Sequence, residues 1–134
     1  MIKQLSVFLE NRTGRINEVC KVLAQNNVNM QAFSMAEAAD FGILRLIVDE
    51  EEKAVSVLRE AGFAVRLTDV VCIACPNVAG SLSKVLECLA QHDIFIEYMY
   101  AFAQGDVANN IIRPTDPERC EQILKESNLN VRVL

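Results

Sequence analysis

Slid against itself by 66 residues, the sequence aligns from end to end without a gap, residues 1–68 lying over 67–134. Asn11 meets Asn77, Gly14 meets Gly80, and Val19 meets Val85. Leu23-Ala24-Gln25 meets Leu89-Ala90-Gln91, and Val65-Arg66 meets Val131-Arg132. Apolar positions coincide even where the letters differ. A fixed period of this kind marks a repeated supersecondary unit. Each copy mixes strand-like and helix-like apolar patterns, so the expectation is two small α+β domains, residues 1–68 and 69–134, rather than a solenoid.

Within the first copy, Ile2–Leu9 alternates as a strand with Leu5, Val7 and Leu9 on one side. Ile16, Val19, Cys20 and Leu23 then recur at helical spacing, and Asn26-Asn27 ends that helix in a left-handed cap. Val28–Glu37 and Phe41–Val48 read as strands joined by a turn at Ala39-Asp40. Asp49 and Glu52 suggest a capping pair for a helix that buries Ala54, Val57, Leu58 and Ala61. Gly62 caps that helix, and Phe63–Leu67 is the last strand. The second copy repeats the order. Val70–Cys75 is a strand, and Leu82, Val85, Leu86 and Leu89 form a helix face. Ile94–Ala103 and Val107–Arg113 form a hairpin turned at Gln104-Gly105-Asp106. Thr115 caps a helix that starts at Pro117, is closed by Glu118, and buries Cys120, Ile123 and Leu124. Asn130–Leu134 closes the sheet.

The order β-α-β-β-α-β predicts, twice over, a four-stranded antiparallel sheet with both helices on one face, the ferredoxin-like arrangement. The join at Thr68-Asp69 holds no Pro, Gly or Ser spacer, so the two units are expected to share an interface. Val70-Val71-Cys72-Ile73-Ala74-Cys75 is apolar on both faces. The helix-free face therefore needs a cover, and a partner chain is the economical one.

Bulk properties narrow the function. The net charge is −5, and neither half carries the basic stripe that a phosphate backbone needs. Nucleic acid and anionic membranes are poor partners for it. No apolar run is long enough for a membrane helix, and the N-terminus enters a strand pattern with no signal-peptide core. Five cysteines without a secretory signal fit reduced thiols in a cytoplasm. There is a single His and no Trp, and no phosphate loop, dinucleotide fingerprint or nucleophile–base set. No cofactor or metal is implied.

What remains is the strand–helix turn, Glu10-Asn11-Arg12-Thr13-Gly14-Arg15-Ile16, with its copy Pro76-Asn77-Val78-Ala79-Gly80-Ser81-Leu82. A turn that opens a helix presents unpaired backbone N–H groups and favours an anion such as a free carboxylate. This Asn-x-x-Gly-x-Ile/Leu turn, set in a duplicated βαββαβ unit, resembles the ACT domain family, the amino-acid-sensing regulatory modules of metabolic enzymes. Thr13 stands where that family often has Pro. In serine-binding members, the effector sits between two ACT units. One Asn of this turn holds it, with a second Asn near the start of the second strand. The resemblance carries those roles to Asn11 and Asn29, with Met30 beside them. In the second copy Asn77 matches, but Phe95 stands in place of Asn29 and offers a hydrophobic wall at most. The implied protein is a non-catalytic homo-oligomer or enzyme partner that binds an amino acid or related metabolite between ACT units and regulates amino-acid metabolism. The alternatives are a ligand-free dimerisation or regulatory subunit for an enzyme or transcription factor, and a thiol-redox or metal protein using Cys72 and Cys75.

Plainer readings stand beside these. Asn11 and Asn77 serve turns without any ligand. Cys72 and Cys75 lie three apart in a strand and so point to opposite faces. Cys20, Cys88 and Cys120 fall on helix core faces, and His92 ends a helix. Asn109-Asn110 interrupts a strand where the first copy has Ile43-Leu44. One of the two must face inward, which allows a polar pocket. Tyr98, Met99 and Tyr100 suit an interface.

Overall fold

The computed structural model describes residues 1–37 and 40–134. The expected turn residue Ala39 lies outside the described residues. The described elements run β1 (Ile2–Glu10), α1 (Arg15–Gln25), β2 (Met30–Glu37), β3 (Phe41–Val48), α2 (Glu51–Glu60), β4 (Ala64–Pro76), α3 (Ser81–Gln91), β5 (Ile96–Gln104), β6 (Val107–Pro114), α4 (Pro117–Glu126) and β7 (Arg132–Val133). They form two compact units, Lys3–Thr68 and Asp69–Leu134, the latter joined by Met1–Ile2. The offset of 66 is kept in the bounds of both helix pairs and of β3 and β6. Where the sequence suggests two strands meeting near Thr68, the backbone runs on as the single strand β4.

In the first unit β3 lies between β2 and β1, antiparallel to each, and β4 is the other neighbour of β1. Alternation places Leu5, Val7 and Leu9 of β1 and Leu44, Leu46 and Val48 of β3 on one face. They pack there with Val19 and Leu23 of α1, Ala54, Val55 and Leu58 of α2, and Phe63 and Val65. Both helices therefore cover the same face. In the second unit β4 lies between β7 and β6, and β6 between β4 and β5. Its core gathers Val71, Ile73, Val85, Leu89, Ile112, Cys120 and Leu124. Met99 of β5 packs against this core instead of facing a partner.

Several expectations are corrected. Part of the opposite sheet face is buried within the single chain, at Cys72, Ala74, Ile111, Gln4 and Ser6, while Phe8, Ile43 and Tyr100 are half-buried there and Phe102 is exposed. The apolar helix stripes are narrower than their spacing suggests. Ile16 and Ala61 are exposed, and Val57, Leu82 and Leu86 half-buried, because only the central rows of each helix meet the sheet. Asp49 does not cap α2. Its Oδ1 accepts from the backbone N–H of Asn29 at 3.0 Å, and Glu50 takes the N-cap position without a side-chain bond. Asp116, not Thr115, caps α4 by accepting from the Arg119 N–H at 3.1 Å, with Pro117 at the first helical position.

The two strand–helix turns depend on glycine. Gly14 and Gly80 sit at the N-caps of α1 and α3 with φ of 87° and 90°. That backbone region costs an L-residue roughly 1–2 kcal/mol. No atom lies within 4 Å of a Cβ added at either position, so the cost of substitution there is conformational and not steric. Gly14→Ala and Gly80→Ala should each destabilise the chain by about 1–2 kcal/mol, against roughly 2–5 kcal/mol for the core truncation Leu58→Ala. Urea unfolding midpoints measure the difference.

Candidate functional site

The first turn closes over a hollow of about 320 Å³ lined by Leu9, Glu10, Asn11, Arg12, Gly14, Arg15, Ile16, Met35 and Glu37. All of these belong to one unit. The end of β1 and the first turn of α1 supply one wall. The other comes from Met35 and Glu37 because β2 runs parallel to β1, both being antiparallel to β3, and so ends beside it. The sequence reading missed Met35 and Glu37. Their signal was the topology itself: in a β-α-β unit the second strand finishes at the same end as the first.

The two arginines differ: Arg12 is exposed and Arg15 is packed in. Arg15 is held at the rim with its side chain 14% exposed. Its guanidinium lies 4.1 Å above the Phe63 ring, and Nη1 donates to Glu18 Oε2 at 2.5 Å. A second contact runs to Glu10 at 3.6 Å. Arg12 lies 3.6 Å from Glu10 and 3.4 Å from Glu18. Two cations and two carboxylates thus neutralise one another around the turn. The hydrogen bond from Arg15, aided by the charges of Arg12 and Arg15, holds the Glu18 carboxyl below its usual range. Both Glu10 oxygens lie against Arg12 and Arg15, which leaves Glu37 as the carboxylate at the hollow for a cationic group. The opening turn of α1 has no side-chain cap and leaves N–H groups for an anionic one. Met35, Leu9 and Ile16 give it an apolar lining.

The remaining expected residues scatter. Thr13 is exposed and does not line the hollow. Asn29 is exposed at the other end of β2, next to Asp49, and Met30 packs against the core. From Met30 to Glu37 the strand spans about 23 Å at ~3.3 Å per residue, so Asn11 and Asn29 of one unit cannot grip one small molecule. In the second unit Asn77 is already engaged. Its Nδ2 donates to Gly105 O at 3.0 Å and its backbone N–H to Asp106 O at 2.8 Å, latching the turn to the β5–β6 hairpin. Phe95 is 67% exposed and lies at the start of β5, away from the turn. Ala79 is exposed and Leu82 half-buried, whereas Val78 and Ser81 line a separate hollow with Cys75, Lys84 and Asn128–Val131.

The thiols are inward. Cys72 and Cys75 are buried on opposite faces of β4, and burial raises the Cys72 thiol above its ordinary range. Cys120, buried against α3, is pushed up to about 11, first by burial and then by nearby acidic groups. Among the described residues no group of three or more His, Cys, Asp and Glu side chains is placed to hold a metal ion. His92 ends α3, its ring Nδ1 2.8 Å from Cys88 O.

A family model for an ACT domain pair matches residues 1–132. The chain belongs to that family. Protein BT0572 from Bacteroides thetaiotaomicron is 52% identical to this ACT domain pair, covering 98% of this chain and 92% of its own, with a TM-score of 0.93. The ligand-free regulatory subunit of aspartate kinase from Thermus thermophilus covers 94% of this chain and 91% of its own at 13% identity, with a TM-score of 0.70. Its counterpart from Thermus flavus covers 92% and 90% at 16% identity, with a TM-score of 0.65. These last two share the fold. No curated protein matches the chain. Among the described residues no helix of this ACT domain pair is long and apolar enough to cross a membrane.

The ion cluster has a pH signature. Glu18 is depressed in the folded state, so its contribution is fully present above the ordinary value of 4.5 and fades as the pH falls through its lower folded value. Glu18→Gln should unfold at lower urea than the parent at neutral pH. The gap should close on acidification below 4.5, as followed by circular dichroism. At neutral pH, Cys72 and Cys120 should react with iodoacetamide far more slowly in the folded chain than in urea, as mass spectrometry of timed samples would show.

Proposed function

We propose that this ACT domain pair is a non-catalytic sensor that binds a free amino acid at the first turn and regulates amino-acid metabolism. The observation that carries the reading is the hollow at that turn. It joins uncapped N–H groups of α1, Asn11, the Glu37 carboxylate and an apolar lining in a volume suited to a small zwitterion. The ligand carboxylate lies at the helix start and its ammonium faces Glu37. Its side chain lies against Met35 and Ile16. The regulatory subunits of aspartate kinase that share this fold favour a regulatory role. Because Asn29 stands at the far end of β2, it joins the site only from another copy of the chain, which makes the working form a homo-oligomer. The ligand acts by preferring one arrangement of the assembly, and can shift it only by its differential affinity. The compartment is the cytoplasm, in keeping with the reduced thiols.

A second reading keeps the regulatory role without a ligand. Phe33 and Met35 are 65% and 50% exposed on β2, which ends the sheet order, and such a strand suits docking on an enzyme or a second copy.

A thermal-shift screen against the common amino acids separates the two. A ligand at 100 times its dissociation constant stabilises by about 2.7 kcal/mol, several degrees at this size. One amino acid should produce that shift, and Asn11→Ala should abolish it. Asn77→Ala should leave it intact while lowering the basal melting temperature, since Asn77 latches a hairpin. No shift with any amino acid would remove the sensor reading in favour of the docking one.

A further inference from the structure

Two of the cysteines stand where the first unit has apolar residues: Cys88 replaces Val22, and Cys120 replaces Ala54. The first unit shows what those positions face. Arg15 opens α1 and lies over Phe63, which follows α2. The start of one helix thus meets the end of the other, and the pair runs antiparallel. Val22 comes seven residues after Arg15, about two turns, and so lies on the same flank of α1, the one turned to α2. From Arg15 to Val22 the helix climbs about 11 Å, and from Phe63 back to Ala54 about 14 Å, at ~1.5 Å per residue. Val22 and Ala54 therefore stand at nearly one level, and both pack in one apolar cluster.

The second unit keeps both helices at the same offset, so Cys88 of α3 faces Cys120 of α4. Two further observations agree. Cys120 is fully buried in one cluster with Val85 and Leu89, the α3 residues on either side of Cys88. Burial, then Glu121, Asp116 and Cys88 itself, push the Cys120 thiol up to about 11. The two thiols differ in access, since Cys88 is half-buried and Cys120 is closed off. The other cysteines are not arranged this way. Cys72 and Cys75 lie on opposite faces of β4, and Cys20 stands in the first unit on another flank of α1.

We propose that Cys88 and Cys120 form an oxidation site, at which hydrogen peroxide makes a disulfide that ties α3 to α4. The Cys88 thiolate attacks one peroxide oxygen, the O–O bond breaks, and hydroxide leaves a sulfenic acid on Cys88. The Cys120 thiolate then attacks that sulfur and expels a second hydroxide. With the two thiol protons taken up, two thiols and one peroxide become one disulfide and two waters. Two electrons pass from sulfur to oxygen. Cys120 is a scarce thiolate at neutral pH, so closure is slow. The same property makes it a slow leaving group when the disulfide is reduced. The site therefore answers sustained oxidant and then holds its state.

The test treats the full chain with hydrogen peroxide, digests it with trypsin without reductant, and weighs the peptides. Cleavage after Arg119 separates the two cysteines. A linked pair holding Cys88 and Cys120, lighter by two hydrogens than the free peptides, is expected from a chain that runs as a monomer on a denaturing gel. The melting temperature should rise by several degrees, as a cross-link restricts the unfolded chain, and dithiothreitol should reverse both changes. Cys88→Val and Cys120→Ala each install the first unit's own residue and so keep the packing. Each should abolish the link and the rise, whereas Cys20→Ser should leave both. A sulfinic acid on Cys88 beside a free Cys120 thiol would overturn the proposal. So would an unmodified Cys88, a link between chains or to another cysteine, or a rise that survives Cys88→Val.

Discussion

A strand that must become a helix within four residues needs one backbone position that most side chains cannot occupy. Gly14 and Gly80 meet that need, at φ of 87° and 90°. Each reverses the chain so that the helix lies back over the face its strand has just built. The interior of each unit follows from this reversal. So does the exposure of the turn, because residues spent on reversing direction cannot also be buried. The hollow at Glu10–Ile16 exists because the turn overhangs the end of β2.

The repeat lets the same chain act as its own comparison. Main-chain features survive duplication with little change. Helix bounds, left-handed caps at Asn27 and Asp93, and both glycines recur at the same offset. Side chains near the turns do not. Arg12, Arg15 and Glu18 form a closed set of charges in one unit, while Val78, Ser81 and Lys84 cannot. A backbone solution is costly to alter because every residue packed on it must follow. A rim residue moves few neighbours and is free to take up another task.

Most of the fold was legible in the sequence because period and caps are local. The alternation of Leu5, Val7 and Leu9 and the helical recurrence of Val19 and Leu23 mark their faces directly. So do Gly62 and the hairpin at Gly105. The site was less legible. Met35 and Glu37 stand more than twenty residues from Asn11, and only strand order brings them beside it. Arg15 reads as a surface residue until Phe63 is known to lie beneath it. Cap identity fell between adjacent candidates, Asp49 or Glu50 and Thr115 or Asp116, since several polar residues in a row can each reach the same amides. The inward member of Asn109-Asn110 was settled by register, Asn110 lying opposite Ile73 on the core side.

The latch made by Asn77 bears on how such turns are recognised from letters alone. The Asn and Gly of the motif are present in both copies, so a pattern search would score two equivalent sites. Yet the amide of Asn77 is spent on Gly105 O. Its persistence is explained by hairpin geometry without any guest. A shared letter between repeats is therefore evidence of shared architecture first. It becomes evidence of shared recognition only when the surroundings of the side chain match as well.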